Sequence, residues 1–130
     1  WLQHLGADVS GFSDRVPTTP AMFDLLDLGG KMKHRLGDIR DRARLAEVID
    51  EVQPEFVFHL AAQALVLESH KDPLATFETN TMGMANLLEC IRERPWIKVA
   101  VLVTSDKAYR NNEWDWGYRE TDVLGGLDPY

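Results

Sequence analysis

The chain has one cysteine, Cys90, among 130 residues. No internal disulfide can form, and that usage fits a reducing cytoplasm; Cys90 itself sits in an apolar helical pattern and reads as a packing residue. Positive charge is also scarce, with 14 Lys and Arg against 21 Asp and Glu and a formal net charge of −7. This balance argues against a nucleic-acid backbone or an anionic membrane as the main partner, because both reward clustered cations. A local basic pocket for a phosphorylated small molecule stays compatible with it. No apolar run approaches the roughly 20 residues that span a bilayer, and no charged-then-apolar leader opens the chain. Internal repeats, low-complexity tracts and interdomain linkers are lacking, and so is an initiator methionine. The opening Trp1–Leu5 reads as the last turn of an amphipathic helix capped by Gly6, which gives the expectation of a cut edge. What is present is ordinary globular composition, 45% hydrophobic and 27% charged, with length for one core.

Periodicity organises that core. A short β-like run over 7–13 ends at the Pro17-Thr18-Thr19-Pro20 segment, and one short helix over 22–28 is expected to stop at Gly29-Gly30. A weak strand over 33–39 follows. Asp41 is a good N-cap for a helix over 42–52, where Leu45, Val48, Ile49 and Val52 fall on one face. The near-continuous apolar run 56–62 predicts a strand buried on both faces, and 97–103 predicts another. Between them one long helix is expected over 73–94, with Phe77, Thr81, Ala85, Leu88 and Ile91 near its buried face. Strands alternating with helices of this length predict an α/β fold, a doubly wound, Rossmann-like parallel sheet. The residues after Ser105 read as a long functional loop.

Ligands bind open α/β sheets at the carboxyl ends of the strands, and several chemistry-bearing residues fall there. Thr104-Ser105-Asp106-Lys107 follows the last strand, with Tyr130 downstream: hydroxyl, carboxylate, ammonium and phenol form a proton-handling set. A tyrosine acts as a base near neutral pH only where positive charge favours its phenolate, and an aspartate as a general acid or a lysine as a base needs the corresponding shift. Spacing does not decide these, and a solvated loop is the plain alternative. Asp38 and Ile39 admit two readings, an adenine contact or a capping pair with Asp41. Ala61 and Ala62 let either a flat ligand or a helix approach the backbone. His59 reads as a core histidine before a catalytic one. Asn80, among Thr79, Thr81 and Gly83, either softens a helix beneath a site or belongs to a polar stripe. Trp114, Trp116 and Tyr118 favour ligand stacking or a subunit contact over core.

At these residues the sequence resembles the extended short-chain dehydrogenase/reductase superfamily and, more narrowly, the CDP-glucose 4,6-dehydratase family. The resemblance is carried by Gly37-Asp38-Ile39-Arg40-Asp41, His59-Leu60-Ala61-Ala62-Gln63, Thr79-Asn80 with Gly83, Val103-Thr104-Ser105-Asp106-Lys107, the tryptophan-rich 113–120 segment and Gly125-Gly126-Leu127-Asp128-Pro129-Tyr130. It implies that residues 1–130 are an incomplete NAD-binding domain lacking its first strand, its Gly-rich turn and the C-terminal part of the sheet, with a Lys expected four residues beyond Tyr130. Gly29-Gly30 lacks the spacing of such a turn, and Ala64 and Glu68-Ser69-His70 depart from the family pattern.

The resemblance further implies roles. Ser105, Asp106, Lys107 and Tyr130 would be catalytic. Ser13, Asp38, Ile39, Leu60, Ala61, Ala62, Thr79, Thr104 and Tyr130 would bind NAD. Gln63, with Ser105, Asp106 and Lys107, would contact the substrate, CDP-glucose, and no metal is implied. The activity implied is conversion to CDP-4-keto-6-deoxyglucose and water through an internal hydride cycle, for deoxysugar and surface-polysaccharide synthesis. A cytoplasmic homodimer is implied for the full-length protein, and these residues alone are expected to be inactive. The alternatives are another extended-family epimerase or dehydratase, and a non-catalytic nucleotide-binding module.

Overall fold

Strand β1 (Ser10–Ser13) pairs in parallel with β2 (Lys33–Leu36), Ser10 opposite Lys33 and Ser13 opposite Leu36, in a computed structural model that describes residues 1–130. Strand β3 (Phe56–His59) pairs in parallel with β4 (Val99–Leu102), His59 opposite Leu102. No ladder joins the two pairs. A common core links them instead: Ile39, Leu45, Ile49, Leu87 and Cys90 are buried together, with Phe12 packing from β1 and Val57 and Leu102 from β3 and β4. Cys90 is fully buried, and burial pushes its thiol pKa up, as suits a packing residue.

Helix α3 (Arg42–Val52) forms for the reasons its sequence gives. The Asp41 carboxylate accepts from the Arg44 N–H at 3.0 Å, Leu45, Val48 and Ile49 are buried, and Gln53 ends the helix in a left-handed conformation before Pro54. Three other expectations are corrected. The helix over 22–28 is two short turns, α1 (Met22–Leu25) and α2 (Leu28–Lys31), divided by Asp27 at φ 50°, so Gly29 and Gly30 lie inside α2 and do not stop it. A Cβ on Gly30 would stand 2.8 Å from Asp27 Oδ2, so glycine lets that carboxylate fold over the turn.

The strands are covered on one face only. Val57 and His59 face the core, whereas Phe56, Phe58, Val99 and Val101 are 42–57% exposed, because the helices of these 130 residues pack against one side of the pair.

The third correction concerns the long helix. It divides into α5 (Pro73–Phe77), a π turn (Glu78–Met82) and α6 (Gly83–Arg92), preceded by an unforeseen α4 (Val66–Lys71). The buried face is Thr76, Gly83, Leu87 and Cys90, set already at Thr76 before the π turn, while Phe77 and Leu88 are exposed and Ile91 alone of the expected set packs on the core. Gly83 allows the closest approach: a Cβ there would meet Ile39 Cγ2 at 2.6 Å. Arg94 then locks α6 to α3, donating to Asp50 at 2.6 and 2.7 Å and to the Cys90 carbonyl at 3.0 Å. No helix is long and apolar enough to cross a membrane.

Candidate active site

The carboxyl end of β4 is fastened to that of β3, where Val103 N–H donates to the His59 carbonyl at 3.0 Å. Ser105 then caps a single 3-10 turn (Asp106–Ala108), its Oγ accepting from the Lys107 N–H at 3.1 Å. A polar residue that caps a turn here is held at the strand end and not released into a solvated loop. The distant segment returns through a Tyr109–Leu124 bridge and two backbone bonds, Arg110 N–H to Val123 O and Gly125 N–H to Ala108 O, both 2.9 Å. Gly126 passes so near the turn that a Cβ would lie 3.2 Å from the Lys107 carbonyl. This close pass brings Tyr130 back toward Ser105.

Between them lies a cleft of about 350 Å³ whose lining includes His59, Ala61, Ala62, Asn80, Thr104, Ser105, Lys107, Asp128 and Tyr130. A second cavity of about 290 Å³ adjoins it, lined by Asp106, Tyr109, Asn111, Tyr118 and the 125–128 segment. Lys107 and Asp128 line both. Of the four candidate catalytic residues, Ser105, Lys107 and Tyr130 therefore share the first cavity and Asp106 faces the second.

The remaining candidates divide. Ala61, Ala62 and Thr104 line the first cavity. Leu60 projects outward, largely exposed, and Thr79 lies in the π turn beside Asn80 without lining either cavity. Gln63 also lines neither: its side chain donates to Leu65 O (3.0 Å) and Thr76 Oγ1 (3.1 Å) and accepts from Leu65 N–H (2.7 Å), so local bonds occupy it. Ile39 is packed in the core against Gly83. Ser13, at the end of β1, is 2.8 Å from His34 Nε2. Asp38 is held by Arg40, whose backbone N–H is 2.8 Å from Oδ1 and whose Nη2 is 2.6 Å from Oδ2, and that guanidinium holds the carboxyl below its ordinary range.

Two features beneath the cavity complete it. Asn80 clamps the loop after β3 at both ends of one residue, accepting from Gln63 N–H at 2.8 Å and donating to Gln63 O at 3.0 Å. The cluster of poor helix formers at 79–83 was the sequence signal for this π turn, and single-turn bulges of this kind recur at functional sites. Burial lowers the pKa of His59, which favours its neutral form at the cavity floor. The aromatic segment stacks on itself: Tyr109 on Tyr118 at 5.1 Å and Trp114 on Trp116 at 5.2 Å between centroids, joined by Trp114–Tyr118 at 5.5 Å. Asp128, which the sequence reading did not single out, pairs with Lys107 at 3.0 Å.

Comparison with known proteins places this arrangement. The family model described as GDP-mannose 4,6 dehydratase matches residues 4–130. CDP-glucose 4,6-dehydratase of Salmonella typhimurium is 47% identical over all 130 residues, and the chain spans 36% of that relative's length. A UDP-glucose 4-epimerase of Lacticaseibacillus casei is 44% identical over 94 residues, 72% of this chain and 28% of the relative. Among solved structures, the UDP-glucose 4-epimerase of Stenotrophomonas maltophila with bound NAD and formylated UDP-arabinopyranose superposes with a TM-score of 0.81 at 27% identity, over 99% of this chain and 38% of that one. The UDP-glucose 4-epimerase of Thermotoga maritima with UDP-glucose gives 0.83 at 25% identity, over 99% of this chain and 40% of that one. The parallel βα units are thus those of the Rossmann-like epimerase and dehydratase folds, and the chain belongs to the GDP-mannose 4,6-dehydratase family.

Proposed function

We propose that the chain is the incomplete cofactor-binding domain of an NAD-dependent nucleotide-sugar 4,6-dehydratase that takes CDP-glucose. One observation supports this most: Ser105 and Lys107 line one cavity at the carboxyl end of β4 together with the sequence-distant Tyr130. The whole-chain likeness to the Salmonella CDP-glucose enzyme selects among nucleotide sugars. The lining suits a nicotinamide dinucleotide, since Ala61 and Ala62 present only methyl groups beside the Thr104 hydroxyl. Those residues and Tyr130 would hold its reactive end, with Asp38 and Ser13 at the ends of β2 and β1 for the adenosine half. Ile39, Leu60 and Thr79, weighed for the cofactor, and Gln63, weighed for the substrate, lie outside the lining of the two cavities.

When bound, NAD supplies a hydride acceptor for carbon 4 that later returns the hydride to carbon 6. The protein handles the protons. Tyr130 takes the proton of the hydroxyl at carbon 4 while Ser105 hydrogen-bonds the same oxygen. The ketone acidifies the proton at carbon 5, which Lys107 removes, and Asp106 protonates the departing hydroxyl at carbon 6. Because Asp106 faces the second cavity, the hexose spans both, with carbon 6 toward Asp106. No net redox change results. A cytoplasmic setting follows from the nucleotide-sugar substrate and the buried lone thiol, and the largely exposed Trp116 is the candidate contact for a homodimer.

The test is to incubate the full-length protein with CDP-glucose and NAD and identify the product. A 4-keto-6-deoxy sugar nucleotide is expected; a 4-epimer formed without loss of water would replace the dehydratase by an epimerase.

A further inference from the structure

The proton scheme above leaves one charged residue of the cavity without a task. Asp128 is nearly enclosed, with 11% of its side chain exposed, and lies on the wall shared by the two cavities. Its Oδ2 accepts from Lys107 Nζ at 3.0 Å, while Oδ1 is buried and has no hydrogen-bond partner. Asp41 and Asp72, which fasten helix starts, each accept a backbone N–H, from Arg44 and Ala75, whereas the Asp128 side chain takes no backbone N–H and meets Lys107 alone. Asp106, although adjacent in sequence, does not pair with Lys107: its Oδ1 is 3.4 Å from Ser105 Oγ. A lysine carries four rotatable bonds and no preferred direction. Here a nearly enclosed carboxylate gives it one.

We propose that Asp128 is the positioning residue for Lys107, fixing its amine against the hexose at carbon 5. The inference rests on the dehydratase reading. A misplacement of about 1 Å at a reacting group can cost about 100-fold in rate, and the loss falls on one step only.

The experiment compares wild-type, Asp128→Asn, Asp128→Glu, Lys107→Met and the Lys107→Met/Asp128→Asn double variant of the full-length protein. Steady-state turnover of CDP-glucose and the transient absorbance of reduced nicotinamide are both recorded. Asp128→Asn is expected to lower kcat about 100-fold with KM within about twofold. Reduced cofactor should accumulate, because oxidation at carbon 4 proceeds while elimination stalls. Lys107→Met should accumulate it too, and adding Asp128→Asn to it should change kcat by less than about twofold, since coupled residues are not additive. Asp128→Glu keeps the charge but displaces the amine, so an intermediate loss of about tenfold is expected; it carries the test if Asp128→Asn melts early. Wild-type turnover in both Asp128 variants, losses that multiply in the double variant, or loss without accumulated reduced cofactor would each overturn the inference. A wild-type protein that yields only a 4-epimer fails the dehydratase reading first, and the inference with it.

Discussion

Two corners of the molecule sit at carboxyl ends of parallel strands, yet their charges are arranged in opposite ways. After β2, Asp38 is gripped by the backbone and guanidinium of Arg40, which reaches on to Glu78 at 3.3 Å. After β4, Asp128 meets one ammonium and keeps a buried oxygen unpartnered, beside a cavity that also holds Ser105 and Tyr130. The first corner is a closed set of bonds that holds a turn. The second joins a cavity-wall carboxylate to a single lysine, at the edge of space a ligand can fill. The carboxylates driven below their ordinary range, Asp38, Asp50, Glu51 and Glu89, all do so beside an arginine, in pairs that brace elements together. A carboxylate with a lowered titration in this molecule therefore marks an arginine pair, not the cavity.

That contrast can be broken by substitutions that should hurt one corner and spare the other. The largest effect belongs to Tyr130→Phe: turnover of the full-length protein should fall about 1,000-fold, the range of a lost acid–base group, while its thermal midpoint stays near wild type. A matching drop in midpoint would make the phenol structural. Gly83→Val is the converse. With Ile39 Cγ2 only 2.6 Å from the new Cβ, it should cost about 3 kcal/mol in a urea titration, by overpacking. Asn80→Ala touches both corners' interests, since it frees the Gln63 backbone under the cavity; a loss of about 2 kcal/mol is expected, with activity falling alongside.

A pH effect comes next. His59 is lowered by burial, so on acidification the unfolded chain takes a proton first, near its ordinary value of about 6.5. Stability is whole above that value and declines as pH falls toward the folded one. Thermal midpoints from pH 7.5 to 5 should slope downward in the wild type and flatten in His59→Gln. The smallest effect on stability should come from Asp38→Asn. Its pair with Arg40 is more than a third exposed on both sides, so screening leaves about 0.5 kcal/mol, abolished by high salt.

Legibility from sequence followed the same divide. Helix α3 was readable to the residue because its cap and apolar stripe are local features, and the alternation of strands with helices followed from the apolar runs. The π turn was not, because no count of 3.6 anticipates an extra residue; its neighbours Thr79, Asn80 and Thr81 signalled trouble without giving the phase. Ile39 shows the limit at an edge: an apolar residue after a strand serves a ligand ring or a core equally well, and only Gly83 across from it decides for the core. The open faces of Phe56 and Val99 were hidden because an apolar run records what a strand can bury, not what covers it. Ser105, Asp106 and Lys107 were legible as three polar residues in a row after an apolar strand, with Tyr130 downstream. Asp128 was not, since nothing local marks a carboxylate whose partner is 21 residues away.

The proposed chemistry requires one hexose to lie against Ser105, Lys107 and Tyr130 together. A crystal structure of the full-length protein with NAD and a CDP-sugar tests it most directly. The sugar oxygen at carbon 4 should lie within about 2.6–3.2 Å of both Tyr130 Oη and Ser105 Oγ, with the Lys107 amine facing carbon 5. A sugar seated elsewhere, with the cavity at the end of β4 filled by protein or solvent alone, would contradict it.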